Sequence, residues 1–265
     1  MASLRACVLL FCFVVMVLVA FVWQGISVEF KCRRRKTFPQ RFHKLWCRLF
    51  GIRVITVGEP VKGRGAMLVA NHMSYLDIPI IGSTTRLCFI SRHDVASWPF
   101  VGLMVRLQES VLVDRKRRGK TGEQLDAVRE RLEQGDRIAI FAEGTTSDGN
   151  RVLPFKSSLL GAALGEGDGE NAGLKFPIQP VSITYVGMHG MPIDRENRQL
   201  FAWTGDVALV PHIWNMLKAG PLDAVVEFHP PIPADTVGRK AVAALAEHAV
   251  RRGVERASLH WRGAA

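Results

Sequence analysis

Among its 265 residues the chain has no Cys-x-x-Cys pair, and its five cysteines are odd in number. Cys7 and Cys12 fall in an apolar run, and Cys32, Cys47 and Cys88 are scattered. Neither a disulfide framework nor a zinc site is therefore expected. No Gly-x-Ser-x-Gly run occurs, which excludes the nucleophile elbow of serine hydrolases. The stretch Gly165-Glu-Gly-Asp-Gly-Glu-Asn-Ala-Gly173 lacks the spacing of a dinucleotide fingerprint and reads as a linker. No internal repeat and no cluster of metal-ligand spacing is found, so no metal and no resident cofactor are expected. Two further absences are local: residues 6–23 carry no charge, and residues 31–53 carry no carboxylate.

The uncharged run Ala6–Trp23 would form a helix ~27 Å long, just enough to cross a hydrocarbon core. A cleaved signal peptide is the competing reading. The length of the run and the want of a convincing small-x-small site after it favour a retained anchor. The segment without carboxylates holds nine Lys/Arg from Lys31 to Arg53. Taking those nine from the 35 basic residues leaves 26 against 24 acidic ones. The net charge of +11 is thus mostly a collar beside the anchor, and the near-neutral body argues against a nucleic-acid partner. Such a collar is attracted to anionic lipid and, by the positive-inside tendency, places the body on the cytoplasmic side of a cell membrane. From Phe38 to Gly51, Phe42, Leu45, Trp46, Leu49 and Phe50 share one helical face, opposite Arg41, Lys44 and Arg48. This helix suits a membrane interface, or else packs on the body with its basic side in water. The expected organisation is an anchor over 1–30, a basic interfacial helix over 31–53 and a catalytic domain over 54–265.

From residue 52 onward, short apolar runs alternate with longer helical patterns. Strands are expected at 52–57, 66–70, 87–91, 110–114, 137–141, 177–185 and 223–229. Helices are expected near 76–82, 94–107, 121–134, 154–165, 207–218 and 239–257. Alternation of this kind implies an α/β fold, a mixed sheet flanked by helices, behind the N-terminal membrane-associated helical segment.

Asn71-His-Met-Ser-Tyr-Leu-Asp77 follows the apolar run Met67–Ala70 and places four residues between His72 and Asp77. A carboxylate folding back onto the imidazole would fix its tautomer and favour the imidazolium, as a general base requires. His189 and Asp194 have the same spacing, but they lie in the Gly/Pro-rich segment 187–192 and just beyond it, which reads as a surface turn. Other apolar runs also end in polar groups: Val111–Val113 before Asp114-Arg115, and Ile138–Ala142 before Glu143-Gly144-Thr145-Thr146. Taken singly, Glu143 also reads as a helix cap, and Arg115 as part of the solvated run Arg115–Arg118. Together, polar groups at several strand ends converge on one rim, where sites in such folds form.

These segments, in this order, resemble the glycerolipid acyltransferase family typified by 1-acylglycerol-3-phosphate acyltransferase. Asn71, His72, Ser74 and Asp77 match its first block and Arg115 its second. Phe141, Glu143, Gly144 and Thr145 match its third, and the apolar run around Pro180 its fourth. The resemblance spans roughly residues 50–190. It implies that His72 is the general base on the acceptor hydroxyl, oriented by Asp77. The oxygen would attack the thioester of acyl-CoA or of an acyl carrier protein directly. The resemblance also implies that Glu143, Gly144 and Thr145 line the acceptor site, with Arg115 and Lys156 facing an anionic head group. Thr146 departs from the pattern, because most members carry arginine there, and threonine offers no bidentate fork to phosphate. The run Glu143–Ser158 looks like the bacterial branch that acylates lyso-ornithine lipid, whose head carries both charges, and Asp148 could meet its ammonium. Lysophosphatidate is the alternative acceptor. The partners expected are therefore membrane lipids, a lyso-lipid acceptor and an acyl thioester.

Overall fold

The computed structural model describes residues 1–63, 65–98, 101–113, 121–165, 172–204 and 207–261. Among the described residues eight strands form one mixed sheet: β1 (Ile52–Val57), β2 (Ala66–Ala70), β3 (Cys88–Arg92), β4 (Val111–Val113), β5 (Arg137–Phe141), β6 (Ile178–Met188), β7 (Met191–Pro192) and β8 (Leu222–Phe228). Their order is β1-β8-β6-β2-β5-β3-β4, with β7 pairing β6 as a short hairpin. β6, β2, β5, β3 and β4 run parallel to one another, while β8 is antiparallel to β6 and carries β1 parallel to itself.

The helices are α1 (Ala2–Glu29), α2 (Phe38–Leu49), α3 (Asp77–Thr84), α4 (Val101–Leu107), α5 (Thr121–Glu133), α6 (Arg195–Arg198), α7 (Leu209–Ala219) and α8 (Arg239–His260). They cover both faces of the sheet. Strand residues alternate between faces, so neighbours on β2 enter different cores. Leu68 and Ala70 join Ala139, Ile183, Tyr185 and residues of α2, α3 and α7. Met67 and Val69 join Ile138, Ile140, Leu132 of α5 and Val242 of α8. Burial on both faces is why β2 reads as an unbroken apolar run.

The expected strands all form, and the expected helices near 121–134, 207–218 and 239–257 form with small shifts at their ends. Gly135, at φ +84°, stops α5 through bonds from its own N–H to Leu132 O and from Asp136 N–H to Arg131 O. The helix expected over 154–165 is instead a six-residue 3-10 turn, Ser158–Ala163. Its first residues are drawn off by tertiary bonds, Lys156 N–H to Ala142 O and Phe155 N–H to Glu247 Oε2. The pattern over 94–107 divides into a 3-10 turn, His93–Ser97, and α4.

α1 is long and apolar enough to cross a membrane, yet it lies along the body. Near one end Arg5 Nη2 donates to Leu217 O of α7 at 2.8 Å. Near the other, Gln24 Nε2 donates to Leu107 O of α4 at 2.8 Å and to Arg35 O at 2.9 Å. Phe13 packs on Trp46 and Phe50, with ring centroids 4.7 and 5.2 Å away, so part of the aromatic side of α2 is covered by α1. The outward side of α1 keeps Leu4, Val8, Phe11, Val15, Val22 and Ile26 exposed. α2 in turn presses His43 onto Gly82 of α3, where a Cβ would meet the ring Nδ1 at 2.0 Å. Burial pushes the His43 imidazole down to about 4, so this contact is made by a neutral ring.

Candidate active site

The site is set by the pairing of two parallel strands. Ala70 of β2 is in register with Phe141 of β5, so two residues beyond each strand end His72 lies beside Glu143 at the same rim. His72 continues the alternation of Leu68 and Ala70, which aims its ring to the α2/α3 side. There it stacks on Phe141, with centroids 4.0 Å apart and planes at 11°. Asn71 prolongs the sheet with its side chain. Its Nδ2 donates to Ile183 O at 2.9 Å, and its Oδ1 accepts from Ile183 N–H at 2.8 Å. The turn that carries His72 is thereby held to β6 as well as to β2.

Asp77, the first residue of α3, is fully buried. Its Oδ2 lies 2.8 Å from His72 Nδ1 and accepts the backbone N–H groups of Met73 and Ser74 at 2.7 and 2.9 Å. Its Oδ1 accepts the Tyr185 hydroxyl at 2.7 Å. Four donors surround one carboxylate, which is what keeping a charge away from water demands. A carboxylate at Nδ1 places the ring proton there and leaves Nε2 with a lone pair. The His72 side chain is 19% exposed, so one edge of the ring remains open. Chemically, the pair can take a proton from a hydroxyl brought to Nε2 and hold the resulting imidazolium.

Glu143 Oε1 accepts the backbone N–H of His72 at 3.0 Å, while its buried Oε2 has no hydrogen-bond partner among the described residues. Burial pushes the carboxyl up to about 8, and the Asp77 charge adds to the rise. The backbone bonds from His72 and Leu153, and Arg251, oppose it. Glu143 is therefore mostly protonated at neutral pH and can donate from Oε2. Gly144 takes the turn at φ +72°, its N–H donating to Phe141 O at 3.2 Å. Thr145 beyond it is exposed, and Thr146 and Asp148 are half-buried. Ser147 closes the turn back on the histidine: its N–H and Oγ donate to His72 O at 2.9 and 3.2 Å. Lys156 joins through its backbone bond to Ala142 O and keeps its side chain exposed. Arg115 lies outside the described residues.

The second His-x4-Asp pair is not assembled. His189 has φ +54°, and its Nε2 lies 2.7 Å from Ala219 O. Asp194 caps α6, accepting Asn197 N–H at 2.7 Å. Two groups that serve the site carry no signal in the sequence. Tyr185 reads as an ordinary strand residue, 108 positions from the carboxylate it supports. Tyr75 bonds to His212 Nδ1 of α7 at 3.1 Å, tying α7 to the same turn.

Comparison with known proteins bears on this geometry. A sequence profile described as Acyltransferase matches residues 51–184. A curated lyso-ornithine lipid O-acyltransferase of Brucella abortus is 41% identical over 240 residues, covering 89% of each chain. One of Rhizobium meliloti with the same description is 38% identical over 91% of this chain and 84% of its own. Among solved structures, the 1-acyl-sn-glycerophosphate (LPA) acyltransferase of Thermotoga maritima aligns with a TM-score of 0.68. It is 26% identical, over 98% of this chain and 99% of that one.

Proposed function

This chain belongs to the acyltransferase family, and from that premise we propose that it acylates the hydroxyl of lyso-ornithine lipid, drawing the acyl group from a thioester on acyl carrier protein or coenzyme A. The observation that carries the reaction is the histidine seated on a fully buried carboxylate at an open rim. His72 Nε2 takes the proton of the acceptor hydroxyl while Asp77 holds the ring and stabilises the imidazolium that forms. The acceptor oxygen attacks the thioester carbonyl, forming a C–O bond and a tetrahedral intermediate. As the C–S bond breaks, the imidazolium returns its proton to the departing sulfur. The products are an ester and a free thiol, and the chain needs no metal or resident cofactor for this sequence of steps. Protonated Glu143 is in reach of the His72 turn and lines the acceptor side with Gly144 and Thr145.

The acceptor assignment is supported by the named activity of the two relatives at 41% and 38% identity, and by threonine rather than arginine at position 146. The half-buried Asp148, on the turn that closes over His72, offers a carboxylate to the ornithine ammonium. Lipid substrates and the apolar α1 together make this a membrane-associated protein. Because α1 touches the body at both ends, we read it as lying in one leaflet, with Val8, Phe11, Val15 and Val22 in the lipid. The basic collar would then face anionic head groups on the cytoplasmic side of the inner membrane.

A second reading, acylation of lysophosphatidate, is favoured by the exposed Lys156 near the rim and by the named substrate of the Thermotoga maritima structure. Purified enzyme given one labelled acyl thioester and equal amounts of lyso-ornithine lipid and lysophosphatidate separates the two. Label predominantly in ornithine lipid is expected. Label predominantly in phosphatidate would transfer the assignment to the second reading.

A further inference from the structure

Arg198 belongs to no motif, yet its environment is unusual for a cation. Its side chain, on the short α6, is 7% exposed. Among the described residues no carboxylate oxygen comes within the 4.0 Å of an ion pair. Nη1 makes two long contacts, Gly149 O at 3.4 Å and Asn150 Oδ1 at 3.3 Å, and the buried Nε has no hydrogen-bond partner among the described residues. Burying a guanidinium with no ion pair is costly, and departures of this kind are expected at functional sites. Burial and the neighbouring Arg195 draw its pKa down, while Asp148 and Asp194 act the other way.

The position of this cation relates it to the catalytic turn. Segment 147–150 lies between Arg198 and His72. On one side Ser147 donates to the carbonyl of His72. On the other, a Cβ added at Gly149 would touch Arg198 Cδ and Met73 Sδ, each at 3.2 Å. The stem of Arg198 and the residue after the histidine therefore meet across one glycine, which leaves room for both. Trp203, five residues beyond Arg198, donates its backbone N–H to Met73 O at 2.7 Å and fastens this segment to the same turn.

We propose that Arg198 binds the anionic group of the acceptor head, a carboxylate or phosphate, and so helps to set acceptor specificity. The inference rests on the acyl-transfer reading above and names the partner of its acceptor site. Nε and Nη2 share one edge of the planar guanidinium, and among the described residues neither has a hydrogen-bond partner, so that edge can offer two parallel donors to such a group. Asp148 lies on the segment it grips, so the two together present opposite charges, as an amino-acid head group requires.

The test uses the full-length enzyme in mixed micelles, with lyso-ornithine lipid, its carboxyl methyl ester and lysophosphatidate as acceptors. Arg198→Gln is expected to raise the acceptor KM by roughly tenfold or more, with the thioester KM and the limiting kcat within about threefold. Arg198→Lys should recover part of that loss. The wild-type enzyme should handle the methyl ester roughly tenfold less well than the free acid, and Arg198→Gln should no longer distinguish the two. If the variant is impaired equally on acid and ester, Arg198 is only a clamp for the loop and the proposal is overturned. Should the glutamine variant fail to fold, equal use of acid and ester by the wild type overturns it equally well. If the wild type accepts only lysophosphatidate, the lyso-ornithine assignment fails separately. The comparison of lysophosphatidate with neutral monoacylglycerol then decides the role of Arg198.

Discussion

Asp77→Asn isolates what the buried carboxylate contributes as a charge. In the wild-type structure Oδ2 accepts three N–H groups, and Oδ1 accepts the Tyr185 hydroxyl. An asparagine placed with its oxygen at the Oδ2 position keeps all three acceptor bonds. Its NH2 then faces Tyr185, whose hydroxyl can turn from donor to acceptor. The geometry survives and the charge does not. With charge centres about 4 Å apart and an effective dielectric of ~20, the carboxylate is worth about 4 kcal/mol to an imidazolium at His72. At 1.36 kcal/mol per decade this predicts a fall in kcat of about 10²–10³-fold. Stability should change little, because the same substitution removes the cost of burying a carboxylate. The measurements are kcat with both substrates saturating, from transfer of a labelled acyl group, and Tm by circular dichroism. A kcat within tenfold of wild type at unchanged Tm would refute the electrostatic role of Asp77.

Other outcomes follow from the same geometry. His72→Ala should lower turnover by at least ~10²-fold, whereas His189→Ala should leave it within about twofold; equal losses in the two variants would mean the wrong pair was chosen. Glu143 is raised to about 8 in the folded chain from an ordinary 4.5, so between those values the native state holds a proton that the unfolded chain has released. Stability contributed by the neutral carboxyl is therefore full below about pH 4.5 and is lost as pH rises toward 8. Glu143→Gln stays neutral throughout, so its Tm relative to wild type should climb across that window, and a constant difference would contradict the assignment. Replacing Val15 and Val22 together by Asp should shift most of the protein from the membrane pellet to the supernatant, while turnover on micellar substrate stays within about threefold. Unchanged sedimentation would place the lipid contact elsewhere.

Much of the architecture was legible because its signals are local. β2 and β5 are buried on both faces, and they read as apolar runs. α5 ends at Gly135 because only a residue comfortable at positive φ closes its last turn. The segment 154–165 misled because its helical pattern competes with bonds to Ala142 and Glu247, and neither partner is near it in sequence. The amphipathic pattern of α2 announced an apolar face without saying what covers it, and Phe13 of α1 takes part of that surface. Tyr185 and Arg198 left no trace, since a tyrosine in a strand and an arginine in a short helix are commonplace until their surroundings are known.

By itself, the sequence determined which chemical groups are available and roughly where each element begins. It also showed that His72 and Asp77 are near enough to touch, because their reach depends only on a six-residue turn. It determined the same for His189 and Asp194. The sequence already favoured the first pair, through its place after a strand and the ordered blocks around it, but only the tertiary structure shows what supports it. A buried carboxylate needs donors, and around Asp77 these come from its own turn and from Tyr185 on β6. The register of β2 with β5 adds the Phe141 stack and the Glu143 bond. The His189 ring meets the backbone carbonyl of Ala219 on α7, and among the described residues no carboxylate is bonded to it. Spacing sets which residues can meet, and long-range packing sets which meeting can hold a charge.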